Sequence, residues 1–212
     1  MAGKLIECVP NFSEGRRQDV IEAIVAPFRA TKGCGLLDYR ADADHNRLVV
    51  SLAGSPEPVQ EALLQAASVA VQKIDMNSHQ GAHPRIGAVD VNPFTPVSNI
   101  SMEECAALSH SFGERYCKEL GVPVYFYEDS AKRPERKRLE VIRKGQYETL
   151  KVESLTPERA PDVGGPALHP TAGATVVGAR KFLVAFNVNL NTSDEEIAKK
   201  IANCVRASSG GF

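Results

Sequence analysis

Residues 35–52 read GLLDYRADADHNRLVVSL, and this stretch decides the fold. Residues 35–39 and 48–52 are apolar runs of strand character. The polar segment 41–46 between them is rich in turn-forming Asp and Asn, so the pattern predicts a β-hairpin. Upstream, residues 5–10 (LIECVP) predict a short strand. Val20, Ile21, Ile24, Val25 and Phe28 then recur at helical spacing behind Ser13, a candidate N-cap. Downstream, Ser55 precedes a helix over 56–73 with Val59, Leu63, Ala66, Ala67 and Ala70 on one side, and residues 86–91 (IGAVDV) read as the next strand. The order is β-α-β-β-α-β. It predicts an α+β fold of ferredoxin-like type, an antiparallel sheet with helices on one face.

Beyond that unit, Ser101 and Glu104 form a capping box that opens a helix to about residue 120, and residues 122–127 (VPVYFY) extend the sheet. Residues 151–174 are rich in proline and glycine with little periodicity, which marks a long ordered loop or a linker. Residues 181–189 (KFLVAFNVN) alternate as a strand. Ser193 with Glu196 caps a final helix through Arg206, the beginning of an incomplete second ferredoxin-like unit. Such a βα pair has an apolar face with little of its own to cover it, so it needs the first sheet or a partner.

Composition limits the function. The chain has 212 residues, 43% hydrophobic, enough to bury a substantial core. With 25 Lys and Arg against 26 Asp and Glu, no charge excess points to nucleic acid or to an anionic membrane. The five scattered cysteines lack a CxxC pair, which fits reduced thiols better than a disulfide framework or a zinc site. No apolar run approaches the ~20 residues that span a bilayer, and Glu7 and Pro10 come too early for a signal peptide. The expectation is a soluble, cytoplasmic protein with a small-molecule site.

Three clusters could carry chemistry. HQGAHPRIG, residues 79–87, sets His79 and His83 four apart, but Gly81 and Pro84 oppose a helix through the pair. The segment is a shaped loop that presents an acid/base imidazole, or histidines that merely fix the loop. A metal site would need further ligands at close spacing, which the sequence does not offer. VPNFSEG, residues 9–15, turns from strand to helix, where Asn11 and backbone N–H groups could hold a carboxylate or Ser13 could simply cap. DADHNR, residues 42–47, crowds Asp44, Asn46 and Arg47 into one turn, whether as a functional cluster or as a plain polar turn. KRPERKR, residues 132–138, reads as a solvated helix face that could steer an anion.

ECVPNFSEG, LLDYRADADHNR, IDMNSHQGAHPRIGAVDVNPF and TAGATVVGARKFLVAFNVNL occur in that order along the chain. Together they closely resemble the formiminotransferase family, the glutamate formimidoyltransferases of histidine breakdown. The resemblance implies transfer of a formimino group from N-formimino-L-glutamate to tetrahydrofolate, the folate being a co-substrate and no metal being needed. It also implies two ferredoxin-like subdomains that face each other across a folate tunnel, in a dimer. Residues 1–178 would be the N-terminal subdomain and 179–212 the start of the second. The other half would come from a homodimeric neighbour or a separate chain; the alternative is a non-catalytic folate- or protein-binding relative. By motif, the catalytic histidine is His83, an imidazole with a pKa near 6.5 that takes and returns one proton. His79, Asp44, Asn46, Arg47 and Asn11 would support it. The folate loop would comprise Gly164, Gly165, Pro166, Ala167 and Leu168, followed by His169, Pro170, Thr171, Ala172 and Gly173.

Overall fold

The computed structural model describes residues 3–184, 188 and 190–206. Contacts divide the chain into two compact units, residues 1–181 and 182–212. Among the described residues, seven strands join one mixed sheet: β1 (Leu5–Cys8), β2 (Asn11–Phe12), β3 (Cys34–Asp42), β4 (Arg47–Gly54), β5 (Val89–Ser98), β6 (Val124–Glu128) and β7 (Thr175–Ala179). Across the sheet the order is β3, β4, then β1 with β2, then β5, β7 and β6. The first pairings are antiparallel, and β5–β7 and β7–β6 are parallel. The 35–52 hairpin is present, with Asp42 opposite Arg47 at its tip.

Helices α1 (Gln18–Ala30), α2 (Pro56–Lys73) and α3 (Met102–Leu120) share one core with the sheet. Strand β4 buries alternate residues Leu48, Val50 and Leu52 against it, the half-buried signature that makes this part of the fold legible as alternation. The Ser101–Glu104 capping box of α3 is formed in both directions.

Several expectations need correction. Ser13 does not cap α1. It is buried, its Oγ donates to the carbonyl of Gly87 at 2.7 Å, and α1 begins five residues later behind Arg17. The strand read at 86–91 runs instead over Val89–Ser98 and passes through two prolines. Pro93 lies opposite the interruption between β1 and β2, and Pro96 beside the register shift at Leu5/Ile6, which are the places where a missing N–H costs least. Residues 86–88 bond elsewhere: Ala88 N donates to Ala172 O, and Ile86 O accepts from Ala174 N.

Nor are the helices confined to one face. On the other side of β6 and β7, α4 (Leu139–Ile142) and α5 (Gln146–Glu153) place Ile142 and Leu150 over Tyr125, Tyr127 and Val176. Part of the proline-rich stretch is therefore helix, and TVVGA at its end is the strand β7, fully buried. A parallel strand covered on both faces carries no alternation, so it reads as featureless. The strand expected at 181–189 does not form over 181–184; residues 185–187 and 189 lie outside the described residues. The last helix, α6 (Glu195–Val205), is capped by Asp194, whose carboxylate accepts from Glu196 N at 2.9 Å, and not by Ser193. KRPERKR is exposed over most of its length and includes a short 3-10 helix at Pro134–Lys137, but Arg136 turns inward: it is 4% exposed and pairs with Asp162 at 2.8 Å over the Tyr125 ring.

Candidate active site

Three loops meet at one end of the sheet's strands: 9–17, the hairpin tip 42–47, and 79–87. They meet backbone to backbone. A Cβ on Gly15 would collide with Asp42 O and Arg47 N, and one on Gly81 with His45 O, so only glycine lets the three segments approach this closely. Asn46 ties them together from a left-handed backbone (φ 48°). Its Oδ1 accepts from Gly15 N and its Nδ2 donates to Gln80 O, both at 2.9 Å. The tip's backbone adds a further tie, Asp44 O accepting from Ala82 N.

His79 has no free ring nitrogen. Buried Arg85 donates from Nε to His79 Nδ1 at 3.1 Å, which leaves the proton on Nε2 to bond Asn46 O, also at 3.1 Å. Arg85 in turn grips Glu148 bidentately at 2.7 and 2.8 Å and reaches Gln146. Burial, with help from the Arg85 charge, holds His79 below the usual imidazole range. It is a neutral brace between two loops.

His83 is different. Its half-buried ring lies in a pocket with Asn11, His45, Asn46, Arg47, His79, Arg85 and Asp90. Burial first, then the charges of Arg47 and Arg143 and finally His45, push its pKa down to about 3. The expectation of an ordinary imidazole near 6.5 is thus corrected: this ring is neutral throughout the physiological range. Arg143, at the end of α4, pairs with Asp90, whose other oxygen accepts from Ile86 N at 2.9 Å. The Nε atoms of Arg47 and Arg143 are buried and have no hydrogen-bond partner among the described residues. Arg47 lines the pocket beside the neutral imidazole, and its guanidinium suits an anion. The space between these side chains is too small for a water molecule, so a substrate meets them at the pocket's rim.

Asn11, Asn46, Arg47, His79 and His83 thus converge. Asp44 contributes its carbonyl and its side chain is exposed. The 164–173 loop splits in two. Gly164, Gly165, Pro166 and Ala167 are exposed, with Gly164 packed on Cys117 Sγ. His169 to Gly173 is locked: His169 and Gly173 exchange both backbone bonds, and Ala172 N donates to His169 Nδ1 at 2.9 Å. Gly173 also bridges to Gly87, four residues from His83, and Ala172 is core. Sequence reasoning missed Arg143 and Asp90, because they come from different elements and carry no spacing signal. It also missed the Asp42–His45 hydrogen bond, although both residues lie within DADHNR. Among the described residues no three His, Cys, Asp or Glu side chains are grouped to hold a metal ion, and no helix is long and apolar enough to cross a membrane.

Comparison with known proteins places these residues in a lineage. A family model described as the formiminotransferase domain, N-terminal subdomain, matches residues 5–180. The chain is 50% identical over 209 residues to a glutamate formimidoyltransferase of Streptococcus pyogenes, covering 99% of this chain and 70% of that protein. It is 44% identical over 210 residues to a protein of the same name from Thermoplasma acidophilum, covering 98% and 69%. Over 208 residues it is 51% identical to the formimidoyltransferase-cyclodeaminase of Gallus gallus, of which it spans 38%.

Proposed function

Because the chain belongs to the formiminotransferase family, we propose that it is a glutamate formimidoyltransferase, moving the formimino group of N-formimino-L-glutamate to tetrahydrofolate. The observation that carries this reading is the neutral His83 in one pocket with Arg47. The donor brings carboxylates, which suit the Arg47 guanidinium. The reaction needs one proton removed from N5 of the folate as it bonds the formimino carbon, and one given to the glutamate nitrogen as it leaves. A neutral imidazole is ready to receive the first, work worth ~10²–10⁴ in rate.

The strand order β3-β4-β1/β2-β5, with α1 and α2 as crossovers, supports a ferredoxin-like reading of residues 5–98. Residues 1–178 are then the N-terminal subdomain and 179–212 the start of the next. Folate would lie along Gly164–Ala167, with 169–173 as its rigid footing. The exposed Ile197, Ile201 and Val205 of α6 support an assembly in which a homodimeric neighbour or a separate chain supplies covering structure. Five free thiols fit a reducing compartment such as the cytoplasm.

Glutamate release from N-formimino-L-glutamate, measured with and without tetrahydrofolate, tests the reading. Folate-dependent release that drops at least ~10²-fold in His83→Gln is expected. Release independent of folate, or full activity in that variant, rejects it.

A further inference from the structure

The Asp42–His45 pair lies at the mouth of the His83 pocket and has no part in the mechanism so far. Asp42 Oδ2 accepts from His45 Nδ1 at 2.9 Å, and Asp42 Oδ1 accepts from the backbone N–H groups of Asp44 and His45 at 2.9 and 2.8 Å. A carboxylate only accepts, so it fixes the hydrogen on Nδ1 and leaves Nε2 as the exchanging atom. The ring stands edge-on to His83, with centroids 6.4 Å apart and an interplanar angle of 63°. Gly81 packs against the His45 carbonyl, so the 79–87 loop and the hairpin tip hold the two imidazoles in register. The side chain is 46% exposed, open to proton exchange with solvent.

Resting on the transferase reading above, we propose that His45 is the second proton-transfer group of this site, giving a proton from Nε2 to the leaving glutamate nitrogen while His83 takes one from the folate amine. The two transfers occur at different nitrogens of one tetrahedral carbon, and two imidazoles set edge to face at one pocket match that need. N5 of the folate bonds the carbon of the formimino group, bound as the amidinium, and the C=N π pair moves onto its NH₂ nitrogen; the N5–H bond then breaks and its proton goes to His83. The bond from the formimino carbon to the glutamate nitrogen then breaks, its electron pair stays on that nitrogen, and the proton from His45 joins it. The lone pair of the remaining NH₂ restores the C=N bond. The proton on His83 returns to His45 through water at the pocket mouth, so the cycle closes with no other reactant. Besides Asp42, the charged groups around His45 are Asp44 in the same turn, Arg47 behind it and Arg16, whose Nε donates to Ala43 O.

The test is a pH series of transferase turnover for the full chain, its His45→Gln and Asp42→Asn variants, and His83→Gln as reference. The expected result for His45→Gln is a kcat ~10²-fold lower with KM within about twofold. A group that must start protonated makes activity fall on the alkaline side, and that fall should vanish in the variant. Asp42→Asn, which frees the tautomer, should show a partial loss. A structural role alone would change KM and melting temperature and leave the alkaline limb in place. Wild-type kcat with an unchanged alkaline limb in His45→Gln overturns the proposal while the transferase reading stands. A wild-type chain that makes no folate-dependent glutamate overturns both.

Discussion

At the scale of single residues, His83 is set first by burial and then by its cations. Arg47 and Arg143 add to the fall in its proton affinity, and an anionic ligand beside them would offset their field. The ¹⁵N-NMR titration of His83 should therefore show a neutral ring down to about pH 3 in the free chain. Its pKa should rise when Arg143 is replaced by Met, and rise again on saturation with glutamate. A titration unmoved by either change would mean that burial alone sets the value. His79 has the opposite job. His79→Ala strips Arg85 and Asn46 of a buried partner, and a group left unsatisfied costs about 1–3 kcal/mol. Its melting temperature should fall markedly, with less effect on turnover than His83→Gln produces.

At the scale of elements, the site is a junction of loops whose geometry rests on the absence of side chains. Gly81→Ala pushes a methyl group into the His45 carbonyl, so the hairpin tip and the histidine loop must separate. Overpacking of that kind costs about 1–3 kcal/mol. It should also reduce turnover beyond what the loss of folded protein explains, which an assay normalised to folded fraction will show. The 164–173 loop should behave as two pieces in hydrogen exchange. The amides of Ala172 and Gly173 are bonded and should be protected without ligand, whereas those of Gly164, Gly165 and Ala167 lie in the exposed half. A folate such as 5-formyltetrahydrofolate should slow exchange in the exposed half. Protection gained only at a distant surface would move the ligand elsewhere.

At the scale of the whole molecule, His79, His83 and His169 all have folded pKa values below the ordinary 6.5. The unfolded chain then binds more protons than the folded one below pH 6.5, so stability is present above that pH and is lost as it falls toward about 3. Between pH 6.5 and about 4.5 most carboxylates remain ionised. A drop in melting temperature over that interval, reduced in His169→Asn, is the expected signature. Much of this molecule was legible in its sequence. The 35–52 hairpin, α1, α2 and the boxed start of α3 are amphipathic or capped locally, so periodicity alone reveals them. The loop HQGAHPR announced a shaped presentation of His83 through Gly81 and Pro84, whose backbone preferences need no neighbours. What local pattern could not supply was anything set by burial on both sides or by distant partners. Strand β7 is buried at every position because sheet and helices cover both its faces, so it carries no alternation. Ser13 turned inward to Gly87 because its oxygen found a buried carbonyl. Arg47 and Arg143 come from two separate elements, so only the folded chain buries His83 and brings their charges to bear on it, which decides its protonation.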